Sequence, residues 1–219
     1  MKKVILITGA SSGIGCATAI RLQQAGNLVY AAARRLERLQ PLAKYGIRPL
    51  VLDLTQPETL VQAVATIQHQ QGRLDVLINN AGYGAYGAIE TVPISTAKRQ
   101  FEVNLFGTAR LIQAVLPLMR AQHSGRIINV TSIAGKIYQP LGGWYVATKH
   151  ALEGLSDTLR SEVKSFGIQV VIVEPGLIQT EWAKIADKHL QTNTTAQAYA
   201  PLTAKTDAFL KLPIRWAHA

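Results

Sequence analysis

Short apolar segments alternate with longer helix-forming segments along most of this chain, and this alternation limits the fold more than any other feature. The apolar segments are continuous runs, which are typical of parallel strands covered on both faces. They cover residues 4–7, 28–32, 47–52, 76–78, 127–130 and 170–173. Helix signals mark residues 14–25, 36–44, 57–71, 95–122 and 143–166. The sequence therefore predicts an α/β protein with a doubly wound parallel sheet and helices on both faces.

The length of 219 residues suits one domain, 1–219, because no internal linker or short repeat interrupts the pattern. The single cysteine, Cys16, excludes an internal disulfide and is expected to be a small buried side chain. No apolar run approaches the roughly 18 residues that a membrane span requires. We therefore expect a cytoplasmic protein without a membrane partner.

The charge of the chain does not indicate a nucleic-acid partner. The formal net charge is +10, but the 23 Lys and Arg residues are scattered and no basic run contains interleaved aromatic residues. A basic surface is also compatible with a phosphate-rich cofactor. The five histidines show no metal-ligand spacing with carboxylates or with the cysteine, so no metal site is predicted.

A glycine-rich turn follows the first predicted strand and leads into the first predicted helix. It reads Thr-Gly-Ala-Ser-Ser-Gly-Ile-Gly over residues 8–15. Glycines let the backbone approach a pyrophosphate, and the free N–H groups at the start of the helix favour its negative charge. The turn predicts a Rossmann-type dinucleotide site, although a tight strand-to-helix turn also needs glycine for structural reasons. The expected cofactor contacts are Gly9, Ser11, Ser12, Gly13, Ile14 and Gly15.

The second strand ends in Ala-Ala-Ala-Arg-Arg over residues 31–35, where an NAD-binding protein would carry a carboxylate for the ribose 2′-OH. Arg34 can instead bind a 2′-phosphate, so NADP(H) is favoured over NAD(H) as cofactor. The alternative is that both arginines only solvate the next helix start. Asp53, followed by Leu54, ends the third strand and is expected to accept a hydrogen bond from the adenine amino group or to act as a turn residue.

Three residues indicate carbonyl chemistry. Tyr145 and Lys149 are four residues apart, so they lie on one face of a helix and address one site. A nearby ammonium group favours the phenolate and should lower the tyrosine pKa. Tyr145 would then be general acid in reduction and general base in oxidation, while Ser132 at a strand end donates a hydrogen bond to the substrate oxygen. The alternative for Ser132 is a hydroxyl bonded to a turn.

The sequence resembles the short-chain dehydrogenase/reductase family from residue 4 to about residue 180. The resemblance rests on the glycine-rich turn, Asp53, Asn-Asn-Ala-Gly at 79–82, Asn104, Ser132, Tyr-x3-Lys at 145–149, and Pro-Gly-x3-Thr at 175–180. It implies an oxidoreductase that passes a hydride between a nicotinamide cofactor and a small-molecule carbonyl or alcohol.

The resemblance also implies roles for individual residues. Lys149 would bind the nicotinamide ribose, and Asn104 would hold a water that relays protons; the alternative for Asn104 is a helix-bending residue satisfied locally. The remaining expected cofactor contacts lie beside the adenosine ribose and over the nicotinamide: Asn80, Ala81, Gly82, Pro175, Gly176, Ile178 and Thr180. Helices 95–122 and 143–166 would pair across a two-fold axis, which predicts a homodimer or homotetramer.

The substrate is not specified by the sequence. Aromatic and apolar residues near the predicted strand ends hint at an apolar pocket but equally suit ordinary packing: Tyr83, Tyr86, Tyr138, Leu141, Trp144 and Trp182.

Residues 177–219 are expected to form a substrate-covering segment and a shortened tail. Pro213 suits a central strand poorly, so six strands are predicted, with 170–173 at an edge, and a seventh from 205–219 is the alternative. A nucleotide-binding regulatory protein with little turnover is the alternative function.

Overall fold

The computed structural model describes residues 2–178, 180–194 and 197–211, and its six strands form one parallel sheet in the order β3-β2-β1-β4-β5-β6. The predicted doubly wound α/β fold is therefore confirmed. The strand order reverses between β1 and β4, which is where such sheets open a crevice at their carboxyl ends. The strands are β1 Val4–Thr8, β2 Leu28–Ala33, β3 Arg48–Val51, β4 Val76–Asn79, β5 Gly125–Val130 and β6 Ile168–Val173.

Helices connect the strands and continue after the last one. They are α1 Gly13–Gln24, α2 Pro57–Gln71, α3 Ile94–Phe101, α4 Thr108–Ala121, α5 Gly143–Val163, α6 Glu181–Asn193 and α7 Ala200–Leu210. Within the ranges given above, no helix combines the length and the apolar character needed to cross a bilayer.

Three predicted helices differ in form from the expectation. Residues 36–44 form two 3-10 helices, Leu36–Arg38 and Gln40–Tyr45, because Pro41 lacks the N–H that a continuous helix needs. The segment 95–122 is interrupted by a π-helical turn, Glu102–Gly107, that separates α3 from α4. The last turn of 143–166 is a 3-10 helix, Lys164–Phe166.

The core forms on both faces of the sheet because successive strand residues point to opposite sides. In β1, Val4 and Leu6 pack with one buried cluster, while Ile5 and Ile7 pack with the other. Helices α2, α4 and α5 cover the first face, and α1 with the two 3-10 helices covers the second. Cys16 is half-buried at the edge of the second cluster, so it is less enclosed than predicted.

The two edge strands are more exposed than the continuous apolar runs predict. Val51 in β3 is 48% exposed and Val173 in β6 is 43% exposed, since each strand has a neighbour on one side only. The prediction of six strands with 170–173 at an edge holds for the described residues. Residues 205–210 belong to α7 and not to a strand, and 212–219 lie outside the described residues.

A third buried cluster lies beyond the carboxyl edge of the sheet. Ala186 and Leu190 of α6 and Leu210 of α7 pack there against Tyr86 and Tyr145. The segment after β6 thus covers the same edge of the sheet that carries the predicted site. Its role in covering a substrate stays a prediction.

Candidate active site

The carboxyl ends of the strands open into a cavity of about 1060 Å3, which α6 and α7 line from the opposite side. Two predicted site residues, Gly15 and Asn104, are buried behind its wall. No group of three potential metal ligands occurs among residues 2–178, 180–194 and 197–211. The cavity brings together the other predicted residues: Gly9, Ser11, Ser12, Gly13, Ile14, Arg34, Asp53, Leu54, Asn80, Ala81, Gly82, Ser132, Tyr145, Lys149, Pro175, Gly176, Ile178 and Thr180.

The glycine-rich turn is held close to the end of β4. Gly9 has a φ of +66°, and a Cβ there would lie 2.7 Å from the Cα of Ala81. The Oγ1 atom of Thr8 accepts hydrogen bonds from the N–H groups of Asn80 and Ala81, both at 3.1 Å. A side chain at Gly9 would therefore require the segment just after β4 to move. The cradle and the α1 N-terminus behind it fit the pyrophosphate of a dinucleotide.

The residues that the sequence assigns to the adenosine end also line the cavity. Arg34 and Arg35 follow β2 and stand at its rim. Asp53 uses its Oδ1 atom to accept hydrogen bonds from the N–H and the hydroxyl of Thr55, at 2.9 and 2.8 Å. Asp53 is therefore a turn residue in this structure, and its contact with adenine stays a prediction.

Ser132, Tyr145 and Lys149 meet at the other end of the cavity. Ser132 follows β5 and its Oγ accepts a hydrogen bond from the N–H of Ala134 at 3.1 Å, so the hydroxyl also caps a 3-10 turn. Tyr145 lies in the first turn of α5 and is 6% exposed. The Nζ atom of Lys149 donates to the carbonyl of Val130 at 2.9 Å and lies 5.7 Å from the centroid of the Tyr145 ring.

Burial has the largest effect on the pKa values of Tyr145 and Lys149. It raises the pKa of Tyr145 to about 12, against a smaller opposing effect of the nearby Ser132 hydroxyl. It also lowers the pKa of Lys149 to about 8, and the nearby Glu153 carboxylate opposes this change. The predicted lowering of the tyrosine pKa by Lys149 is therefore wrong for the protein alone. The ammonium group lies near the ring and not bonded to the hydroxyl, and desolvation of a phenolate outweighs it.

Asn104 lies in the π-helical turn and is 1% exposed. Its amide spans two neighbours: Nδ2 donates to the Tyr83 carbonyl at 2.9 Å and to Thr148 Oγ1 at 3.2 Å, while Oδ1 accepts from the Tyr83 N–H at 3.1 Å. The Asn104 amide therefore forms its hydrogen bonds with neighbouring residues, which is the alternative that the sequence left open. The relay of protons through a water held by Asn104 stays a prediction.

Two aromatic rings lie near the ring of Tyr145. The ring centroid of Trp182 lies 5.1 Å from that of Tyr145, and Tyr86 lies 6.1 Å from Tyr145 and 5.9 Å from Trp182. Tyr83 and Tyr138 also line the cavity, as predicted. Leu141 and Trp144 do not: Leu141 is buried, and the Trp144 ring packs edge-on against Phe101 at 6.5 Å.

Some residues that line the cavity were not predicted from the sequence. Thr96, Arg99 and Val103 line it from α3 and the following turn, and His189 lies on α6 with its ring 5.7 Å from that of Tyr83. Their spacing along a helix face is a signal, but ordinary packing produces the same spacing. Glu153, which faces Lys149, follows it by one helical turn and also carried no recognisable motif.

The doubly wound sheet, the glycine cradle and the Ser132–Tyr145–Lys149 set together define an oxidoreductase of the dinucleotide-binding α/β class. The family model for short chain dehydrogenase matches residues 3–191. The chain therefore belongs to the short-chain dehydrogenase/reductase family, as the sequence motifs indicated.

Several curated relatives share this family. The chain is 44% identical over 179 residues to a 3-ketodihydrosphingosine reductase of Bacteroides thetaiotaomicron, covering 81% of this chain and 65% of the relative. It is 37% identical over 201 residues to the probable short-chain type dehydrogenase/reductase VdlC of Helicobacter pylori, covering 92% and 74%. It is 38% identical over 189 residues to an NADPH-dependent 3-dehydrocapnine reductase of Ornithobacterium rhinotracheale, covering 82% and 67%. The chain thus spans about two thirds to three quarters of these relatives.

Solved structures show the same fold with either cofactor. A short-chain dehydrogenase from Streptomyces avermitilis matches 97% of this chain and 79% of its own, with a TM-score of 0.86 and 38% identity. ElxO with NADP bound matches 88% and 79%, with a TM-score of 0.79 and 30% identity. A family member from Burkholderia phymatum in complex with NAD matches 95% and 78%, with a TM-score of 0.82 and 25% identity.

Proposed function

We propose that the protein is an NADP(H)-dependent oxidoreductase that interconverts a carbonyl group and a secondary alcohol on an apolar small molecule. One observation carries this proposal. The proton-donating set of Ser132, Tyr145 and Lys149 and the glycine cradle with Arg34 line one continuous cavity. A nicotinamide dinucleotide bound along that cavity supplies the hydride.

In this proposal, different residues of the chain bind different parts of the dinucleotide. The turn from Gly9 to Ile14 and the first N–H groups of α1 hold the pyrophosphate, because the positive end of the helix faces the cavity. Asn80, Ala81 and Gly82 place backbone beside the adenosine ribose. Pro175, Gly176, Ile178 and Thr180 lie over the nicotinamide end, and Lys149 binds its ribose.

Tyr145 is the proton donor in reduction. A pKa of about 12 keeps its hydroxyl protonated near neutral pH, which suits a general acid better than a general base. Ser132 donates a hydrogen bond to the substrate oxygen as negative charge develops there. A protonated hydroxyl is the state that a general acid needs at the start of carbonyl reduction.

NADP(H) is the proposed cofactor. Arg34 and Arg35 stand at the cavity rim after β2, and no carboxylate is present at that strand end to bind a ribose 2′-OH. An NADPH-dependent relative and the NADP-bound ElxO support this choice. The NAD complex of the Burkholderia phymatum protein shows that the fold also accepts the other cofactor, so the preference depends on these arginines.

The proposed substrate is an apolar ketone. Tyr86, Trp182 and Tyr145 form an aromatic enclosure around the reacting position, and Ile137 and Ile185 extend the apolar lining outward. Two relatives are named as reductases of a 3-keto and a 3-dehydro compound.

We also propose a homodimer or homotetramer, since Phe106 and Leu155 leave large apolar side chains exposed beside α4 and on α5. A concentration-independent monomer in light scattering would contradict the assembly.

The test of function is a screen of the purified protein for oxidation of NADPH and NADH with ketones, aldehydes, quinones and steroids. The expected result is faster turnover with NADPH and with the more apolar ketones. Cofactor binding is followed separately by quenching of tryptophan fluorescence. Binding without turnover on any substrate would favour the nucleotide-binding regulatory protein instead.

A further inference from the structure

Glu153 is a buried carboxylate that the chemistry described above does not use. It lies on α5 one helical turn after Lys149, and only 7% of its side chain is exposed. Within the described residues neither of its carboxylate oxygens accepts a hydrogen bond. A buried carboxylate is costly unless nearby cations compensate it, so its position requires an explanation.

Two lysines provide that compensation. Lys149 lies on the same face of α5, four residues earlier, where the Glu153 carboxylate opposes the lowering of its pKa by burial without forming a direct ion pair with it. Lys136 approaches from the end of the 3-10 turn after Ser132, with its Nζ atom 2.9 Å from Glu153 Oε2. The same Nζ atom lies 3.4 Å from Oε1 of Glu174, which follows β6.

The carboxylate also fills the space beneath the Ser132 turn. A Cβ added to Gly135 would lie 2.9 Å from Cγ of Glu153 and 3.0 Å from its Oε1. The N–H of Ile133 donates to the carbonyl of Pro175 at 3.0 Å, so the turn, α5 and the loop after β6 meet at this point. Glu153 and Lys136 therefore join the three segments that carry Ser132, Lys149 and Pro175.

We propose that Glu153 is a positioning residue of the active site: its carboxylate holds the Lys149 ammonium group in its charged form, and Lys136 anchors that carboxylate beneath the Ser132 turn. The other groups that face this set in the described residues are Tyr145 on α5, Glu174 after β6 and the uncharged amide of Asn104. The expected change in turnover rests on the proposed function, whereas the expected change in the charge state of Lys149 does not.

The sign of the effect follows from the charges. Replacing Glu153 by glutamine removes a negative charge beside Lys149, so the ammonium group loses its proton at lower pH. Replacing Lys136 by glutamine removes a cation that competes for the same carboxylate, so Lys149 keeps its proton to higher pH. A residue that only filled space would not produce opposite effects in the two variants.

The experiment follows the side-chain Cε resonance of Lys149 by NMR against pH in wild type, Glu153→Gln, Glu153→Asp and Lys136→Gln. Lys149 is expected to titrate at lower pH in Glu153→Gln, near the wild-type pH in Glu153→Asp and at higher pH in Lys136→Gln. Asp157→Asn, an exposed change one turn further along α5, is the control. Lys136 is half exposed, so its variant provides the test if Glu153→Gln does not fold.

Turnover gives a second readout. For Glu153→Gln, turnover near pH 8 should fall about fivefold while turnover near pH 6 changes less than about twofold. A Lys149 titration that is unchanged in Glu153→Gln, or that moves the same way in both glutamine variants, overturns the proposal. The titration needs no substrate, so a wild-type protein without turnover refutes the proposed function and leaves this test intact.

Discussion

Arg38 and Glu181 form an ion pair at the cavity rim, with 2.9 Å between the Arg38 Nη1 and Glu181 Oε2 atoms. Arg38 lies in the first 3-10 helix after β2, and Glu181 is the first residue of α6. The pair thus connects the proposed 2′-phosphate end of the cavity to the start of α6, in the segment predicted to cover the substrate. Arg38, the Ser12 hydroxyl and Arg35 all hold the pKa of Glu181 below its usual range.

Glu181→Gln should tighten the binding of NADPH. The carboxylate occupies a group of arginines where cofactor phosphates are expected, so its removal leaves that group more positive. We expect the Kd for NADPH to fall about threefold at low salt, with a smaller change at high salt because the groups are exposed. Fluorescence titration measures both values, with Glu58→Gln on α2 as the control. Weaker binding would show instead that the ion pair holds the cofactor site in shape.

Arg34→Glu should reverse the cofactor preference. The change replaces attraction for a 2′-phosphate with repulsion, so NADPH affinity should fall about tenfold or more while NADH affinity changes less. The matched control is Arg21→Glu, which makes the same charge change on the exposed side of α1, outside the cavity lining. If both variants lose NADPH affinity equally, net charge and not Arg34 sets the preference.

Tyr145→Phe should remove turnover and leave cofactor binding nearly unchanged. The hydroxyl supplies a proton to the developing alkoxide, and general acid catalysis of this kind contributes about a hundredfold or more. The ring stays, so its packing against Trp182 and Tyr86 is retained. Steady-state kinetics and NADPH titration measure the two effects, and Tyr45→Phe, on an exposed tyrosine outside the cavity lining, is the control. Turnover near the wild-type level would exclude Tyr145 as the proton donor.

The sequence predicted the fold and the family because both depend on local, repeating signals. Each strand contains a short apolar run, and the glycine-rich turn joins the first of them to α1. The residues at the strand ends, such as Ser132 and Asp53, could be placed together because parallel strands end at one edge. The predictions of helices at 36–44 and 95–122 were less accurate, since a proline and a π-helical turn alter the backbone without changing the apolar pattern.

The chemical environment of the site could not be predicted in the same way. The pKa of Tyr145 depends on how completely the fold buries this side chain, and Trp182 on α6 is one of the rings that pack against it. The sequence predicted that this segment covers the substrate but did not predict its helices, because its pattern is polar and irregular. Glu153 was missed for a related reason, since its partner Lys136 is seventeen residues away and belongs to another segment.

Gly15 provides a final test that separates backbone packing from cofactor contact. The sequence placed it among the cofactor contacts, but it is buried behind the cavity wall. A Cβ there would lie 2.4 Å from Nδ2 of Asn80 and 2.5 Å from the carbonyl oxygen of Gly9. The Gly9 oxygen is a backbone atom of the turn, and backbone cannot move away as a flexible side chain can.

Gly15→Ala should therefore lower the free energy of unfolding by about 1–3 kcal/mol, the usual cost of overpacking. Weaker NADPH binding should accompany it, since the turn must shift to admit the methyl group. Gly154→Ala is the matched control, because it makes the same change in α5 where a Cβ would meet nothing within 4 Å. It should stabilise the protein by about 0.5–1 kcal/mol through helix propensity alone. Urea unfolding and NADPH titration of both variants decide the matter. Unchanged stability in Gly15→Ala with a loss of NADPH affinity would place Gly15 in contact with the cofactor after all.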